Sequence, residues 1–141
     1  MIKVFFDASV IFSAINSKTG GSYYLLSLSK SRKIVAITSQ TVVKEVENNL
    51  NKFKNLDKHR LHKAVVDFNL LVREKIKQEE ISVFFKKVEK KDAHVLAGAI
   101  STNCDYLVTL DRKHLNNQKT KDSFSQLKIL SPKELILQIL L

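Results

Sequence analysis

Apolar residues along this chain alternate between short continuous runs and longer stretches at helical spacing. Residues 2–6, Ile-Lys-Val-Phe-Phe, form a nearly unbroken apolar run, the pattern of a strand covered on both faces. Ser9 can cap a first helix reaching about residue 16, and Gly20-Gly21-Ser22 breaks the chain and restarts a second helix to about residue 31. Residues 34–38 predict the next buried strand. Ser39 is a good N-cap for a helix whose Val42, Val46, Leu50 and Phe53 make an apolar stripe. Leu61, Val65, Phe68, Val72 and Ile76 repeat that spacing and predict one longer helix. Residues 81–85 predict the third strand, 92–102 a helix, 106–109 the fourth strand and 127–130 the fifth. Ser131-Pro132-Lys133-Glu134 is a capping box with proline at the first helical position, opening a C-terminal helix that buries Leu135, Ile139 and Leu140. Strands alternating with helices indicate an α/β architecture with a mostly parallel sheet.

Four acids sit at the junctions of this pattern: Asp7 and Asp111 just beyond strands, Asp92 at a helix start and Glu45 beside an apolar stripe. In open parallel sheets, ligands lie outside the carboxyl ends of the strands. Asp92 shares a helical face with Leu96 and Ala99, so its carboxylate faces inward. Spacing does not choose between Glu45 and Glu47, which flank opposite edges of one stripe. Taken singly, Asp7 as a helix cap, Asp92 as a first-turn acid and Asp111 as a turn residue are all ordinary. Capping does not require them to share one end of a sheet, however. Carboxylates within ~4 Å of one another repel by roughly 1 to 4 kcal/mol per pair, so a cation must offset them or a proton must neutralise one. Oxygen ligands without a Cys/His set point to Mg²⁺ or Mn²⁺.

Composition narrows the setting. A chain of 141 residues with 44% hydrophobic content and no linker-like tract fits one domain, residues 1–141. The single cysteine, Cys104, allows no internal disulfide and points to a reducing cytoplasm, and no run is long enough to cross a bilayer. The net charge of +10 favours a polyanion or an acidic protein as partner. His59 and His62 lack a third ligand and read as exposed polar residues. His94 reads as packing, and Tyr23, Tyr24 and Tyr106 as core.

Phe6-Asp7-Ala8-Ser9-Val10, the helix from Ser39 through Glu45, the stretch from Asp92 to Ala99 and Cys104-Asp105-Tyr106-Leu107-Val108-Thr109-Leu110-Asp111 resemble the four acidic motifs of PIN-domain nucleases. Residues 130–135, Leu-Ser-Pro-Lys-Glu-Leu, resemble the ending found in the family's toxins of toxin–antitoxin pairs. The resemblance covers nearly the whole chain. It implies a three-layer α/β/α sandwich around a five-stranded parallel sheet in the order 3-2-1-4-5. It also implies a Mg²⁺- or Mn²⁺-dependent ribonuclease selective for single-stranded RNA, often a homodimer, whose site a cognate, acidic antitoxin occludes. Carried over, Asp7, Glu45 and Asp92 become the metal-binding core, Asp111 the fourth acid, and Ser9 and Thr109 polar supports. Related sequences often carry extra acids where this chain has Lys90-Lys91, which leaves one-metal and two-metal hydrolysis both open.

Competing classes fit less well. A haloacid dehalogenase would need a second Asp at Ser9, a phospho-receiver would need paired acids after the first strand and a phosphoacceptor Asp after the third, where the chain offers Asp7 alone and Lys86-Lys87, and no Gly-rich loop follows a strand. From a different class, a non-catalytic RNA- or protein-binding module could keep the same scaffold.

Overall fold

Four of the five strands form on the apolar runs, and side-chain caps open several of the helices. The computed structural model describes residues 1–52, 58–84, 88 and 91–140, without the side chains of Lys58 and Leu140. Strand β1 (Lys3–Phe6) leads to α1 (Ala8–Asn16) and α2 (Gly21–Lys30), then β2 (Val35–Ser39), α3 (Gln40–Leu50) and α4 (Lys58–Asp67). Next come β3 (Leu71–Arg73), α5 (Gln78–Ser82), α6 (Ala93–Ser101) and β4 (Tyr106–Val108). The chain finishes with α7 (Gln118–Ser123), β5 (Lys128–Leu130) and α8 (Pro132–Leu140).

All five strands pair in parallel in the order β3-β2-β1-β4-β5. Phe5, Phe6, Leu107 and Val108 are fully buried, as expected for a sheet covered on both faces. Helices α1 to α4 and α8 contact one another in one layer, while α6 packs on β1, β2, β4 and α5. Right-handed crossovers put these two sets on opposite sides, because strand order runs outward from β1 to β3 and then reverses. That reversal falls between β1 and β4, where Phe6 stands in register with Val108. Ligands in open parallel sheets bind at such a switch point.

Three helices end in the same left-handed turn. Arg32, Asn69 and Asn103 have φ of 62°, 54° and 56°. In each case the residue's own N–H and the next one close back on the helix, for example Asn69 N to Val66 O at 3.2 Å and Leu70 N to Val65 O at 3.0 Å. This is the Schellman arrangement, and it turns α2, α4 and α6 into the strands that follow.

The turn at Asn69 corrects the expectation of one helix through Val72 and Ile76. The helix stops, and Leu71 and Val72 enter β3 beside Ile37 and Thr38. The third strand is therefore at Leu71–Arg73, not 81–85, and Ile81 lies in α5. Glu79 and Glu80 occupy the first turn of α5, where the helix dipole favours acids, and Glu80 Oε1 accepts from Lys77 N at 3.2 Å. Phe53 and Phe85, assigned above to a helix stripe and a strand, lie outside the described residues, as does the Leu140 side chain. Ser131 and Glu134 form the expected reciprocal cap, at 3.0 and 3.1 Å.

Helix α6 lies close to β1 because Gly98 has no side chain. A Cβ there would come within 2.7 Å of the buried Phe5 ring. Glycine at this position thus fixes the distance between the helix that starts at Asp92 and the strand that ends at Asp7.

Candidate metal centre

Asp7 follows β1 directly and is the N-cap of α1, its Oδ1 accepting from Ala8 N at 2.8 Å. Ser9, expected as that cap, instead lies inside the first turn. Its hydroxyl donates to Asp7 Oδ2 at 3.1 Å and accepts from Leu110 N at 3.1 Å. Thr109 is fully buried, and its hydroxyl donates to Asp7 Oδ2 at 2.6 Å while accepting from Asp111 N at 3.0 Å. Two hydroxyls therefore tie the end of β1 to the loop after β4. Burial pushes the Asp7 carboxyl above the usual carboxylate range; the Thr109, Ala8 and Ser9 hydrogen bonds oppose this, and the charge of Glu45 adds to it.

Across the switch point, Asp92 and Asp111 face each other. Asp92 stands at the N-terminus of α6 without making a side-chain cap bond, and its Oδ2 is a buried oxygen with no hydrogen-bond partner among the described residues. Burial raises its carboxyl above the ordinary range, followed by the repulsion of Asp111; His114 and Lys91 oppose, and Asp7 adds to the rise. Burial also works against ionised Asp111, but donors outweigh it, so its carboxyl is held low. These donors are Lys113 N and His114 N to Oδ1, at 3.0 and 2.9 Å, with the His114 ring beside Oδ2.

His114 completes a group that the sequence reading missed. Among the described residues, one ligand atom each from Asp92, Asp111 and His114 lies within 4.8 Å of the others. His114 Nδ1 is 3.1 Å from Asp111 Oδ2 and 3.9 Å from Asp92 Oδ2. An i,i+3 spacing after a strand-end acid is the signal that could have found it, since Asp111 and His114 share one turn.

Glu45 sits on the adjoining helix, half-exposed, with Oε1 on Nε2 of the buried His94. His94 Nδ1 is buried without a partner among the described residues. Asp7 and Glu45 are outside the three-residue group but close enough for their charges to bear on one another, as do those of Asp7 and Asp92. The structure thus gathers Asp7, Glu45, Asp92 and Asp111 at one rim of the sheet. His59 and His62 are exposed on α4, Tyr23 packs edge-on against Phe68 with ring centres 5.4 Å apart, and Tyr24, expected in the core, is exposed on the outer face of α2.

The arrangement fits a divalent cation. Its donors are carboxylates and an imidazole, and among the described residues one buried oxygen has no proton donor and the ion-pair contacts of Glu45, Asp92 and Asp111 are with histidines. No helix among the described residues is long and apolar enough to cross a membrane.

A family model described as PIN domain matches residues 3–113. No curated protein sequence matches the chain. Among solved structures, VapBC2 from Rickettsia felis bound to a DNA fragment from their promoter is similar at 17% identity and a TM-score of 0.63, over 91% of this chain and 97% of that one. VapC20 from Mycobacterium tuberculosis, a Sarcin-Ricin loop cleaving toxin, is 15% identical with a TM-score of 0.55, over 78% of this chain and 91% of that one. VapBC-1 from nontypeable Haemophilus influenzae is 12% identical with a TM-score of 0.57, over 94% and 99%. At these identities the likeness is one of fold.

Proposed function

The chain belongs to the PIN domain family, and on that premise we propose that it is a metal-dependent endoribonuclease acting on single-stranded RNA, the toxin of a toxin–antitoxin pair. The observation that carries this reading is the convergence of Asp92 and Asp111 within one ion's reach, with Asp7 and Glu45 on the adjoining elements. Among the described residues no ammonium or guanidinium forms an ion pair with these acids, and acids placed together in that way oppose folding, so their convergence needs a use.

Asp7, Asp92 and Asp111, with Glu45 nearby, would hold Mg²⁺ or Mn²⁺. Such an ion lowers the pKa of water and stabilises charge on phosphate oxygens during in-line displacement. The protein's part is orientation. Ser9 and Thr109 pin one oxygen of Asp7, and the backbone of Lys113 and His114 pins one of Asp111. Both carboxylates are thereby oriented by fixed neighbours, which lowers the reorganisation needed at the moment of reaction. Lys91, Arg112 and Lys113 are exposed beside Asp92 and Asp111 and suit the flanking phosphates of a bound strand.

The VapC20 neighbour supports RNA as substrate, and the VapBC neighbours together with a net charge of +10 support an acidic antitoxin covering the acids. A homodimer working in the cytoplasm completes the proposal. The test is cleavage of a mixed single-stranded RNA pool with Mn²⁺ and with EDTA. Wild type should cut only with metal, and Asp7→Asn, still folded by circular dichroism, should not cut. Full activity in that variant would remove Asp7 from the reaction, and an inert wild type would favour a binding module on the same scaffold.

A further inference from the structure

His114 was not anticipated, and its ring lies where the acids converge. The loop that carries it is held at several points. Asn116 N donates to Asp111 O at 2.8 Å, Thr120 Oγ1 donates to His114 O at 3.2 Å, and Leu115 is buried beneath the loop. The ring is therefore placed by the fold and not by solvent.

Two uses for it can be separated. One is to orient Asp111, but Oδ1 of that residue already accepts two backbone N–H groups, which define its carboxylate plane without the ring. The other is to coordinate. Nδ1 is 3.1 Å from Asp111 Oδ2 and 3.9 Å from Asp92 Oδ2, the oxygen that lacks a donor. An octahedral ion with bonds of about 2.1 Å spaces adjacent ligands about 3.0 Å apart and opposite ligands about 4.2 Å apart. Both separations lie close to or within that span.

On the reading of the site as a metal centre, we infer that His114 is a protein ligand of the ion through Nδ1, so that the centre takes a first-row transition ion in preference to Mg²⁺. Mg²⁺ favours all-oxygen surroundings, whereas an imidazole nitrogen adds affinity for softer divalent ions. With His114 included, the donor set of this chain adds a nitrogen to its carboxylates, in place of the oxygen-only set that its acidic motifs suggest.

The experiment is pulsed electron paramagnetic resonance of Mn²⁺ bound to the wild-type protein, with calorimetric titration of Mn²⁺ and Mg²⁺ alongside. Nitrogen-14 coupling of a directly bound imidazole should appear in wild type and vanish in His114→Ala. Mn²⁺ should bind at least about tenfold more tightly than Mg²⁺ to wild type, and the variant should lose most of that preference. Bound Mn²⁺ with no nitrogen coupling, or coupling that persists in His114→Ala, would overturn the assignment and leave the metal centre standing. A wild-type spectrum without the coupling overturns the assignment even if His114→Ala does not fold, and His114→Gln is the second variant in which the coupling should vanish. If neither ion binds wild type at millimolar concentration, the metal centre falls and the assignment with it.

Discussion

Thr109→Val removes one hydroxyl from the centre of the site and adds a methyl in its place. The hydroxyl donates to Asp7 Oδ2 at 2.6 Å and accepts from Asp111 N at 3.0 Å, and Thr109 has no exposed surface. A hydrogen bond to a charged group contributes about 1.5 to 3 kcal/mol, and an ordinary one about 0.5 to 1.5 kcal/mol. Asp111 is only partly buried, so water can replace part of the second bond. The expected loss is about 2 to 4 kcal/mol, increased if the valine methyl, facing a carboxylate oxygen now at hydrogen-bond distance, forces a shift. Thr109→Ser keeps the hydroxyl and deletes one methyl, for about 1 kcal/mol. Urea unfolding in EDTA at about pH 8, followed by far-ultraviolet circular dichroism, should place the valine midpoint roughly 1 to 2 M below wild type. A valine variant within about 0.5 kcal/mol of wild type, or a serine variant equally destabilised, would refute the idea that this hydroxyl joins Asp7 to the β4 loop.

Burial raises the Asp7 carboxyl in the folded state, so its stabilising contribution is complete below the ordinary value of about 3.9 and is lost as pH rises through the folded value. Asp7→Asn has no such proton, and its stability relative to wild type should therefore rise between about pH 3.5 and pH 8 in EDTA; a constant or falling difference in urea midpoints would contradict this. Gly98→Ala gains about 1 kcal/mol of helix propensity but drives a Cβ to 2.7 Å from the Phe5 ring, so a net loss of about 1 to 3 kcal/mol is expected on thermal unfolding. Ser131→Ala removes the acceptor for Glu134 N and should cost about 0.5 to 2 kcal/mol by the same measurement.

Much of the fold was legible because burial on both faces leaves an apolar run with few alternatives. Residues 2–6, 106–109 and 127–130 contain β1, β4 and β5, 34–38 covers all of β2 but Ser39, and the resemblance supplied their order. The third strand was misread because β3 is an edge strand whose Leu71 and Val72 are exposed. Such a strand carries no burial pattern, and Val72 and Ile76 happened to continue the helical stripe of α4. Asn69 was the overlooked signal, a residue that tolerates the left-handed turn ending that helix. At the site, acids at strand ends were visible as a sequence feature, whereas His114 depends on how the loop after Asp111 folds back. Periodicity does not describe a loop, and the ring's neighbours are set by Leu115 and Thr120 rather than by a motif.

Calorimetric titration of Mn²⁺ into wild type and Asp92→Asn tests most directly whether the converging acids form one cation site. Wild type should bind, and the variant, having lost a carboxylate whose Oδ2 is buried without a donor, should bind at least about tenfold more weakly while remaining folded. Equal affinity in the two proteins, or no heat from wild type at millimolar Mn²⁺, would contradict the claim.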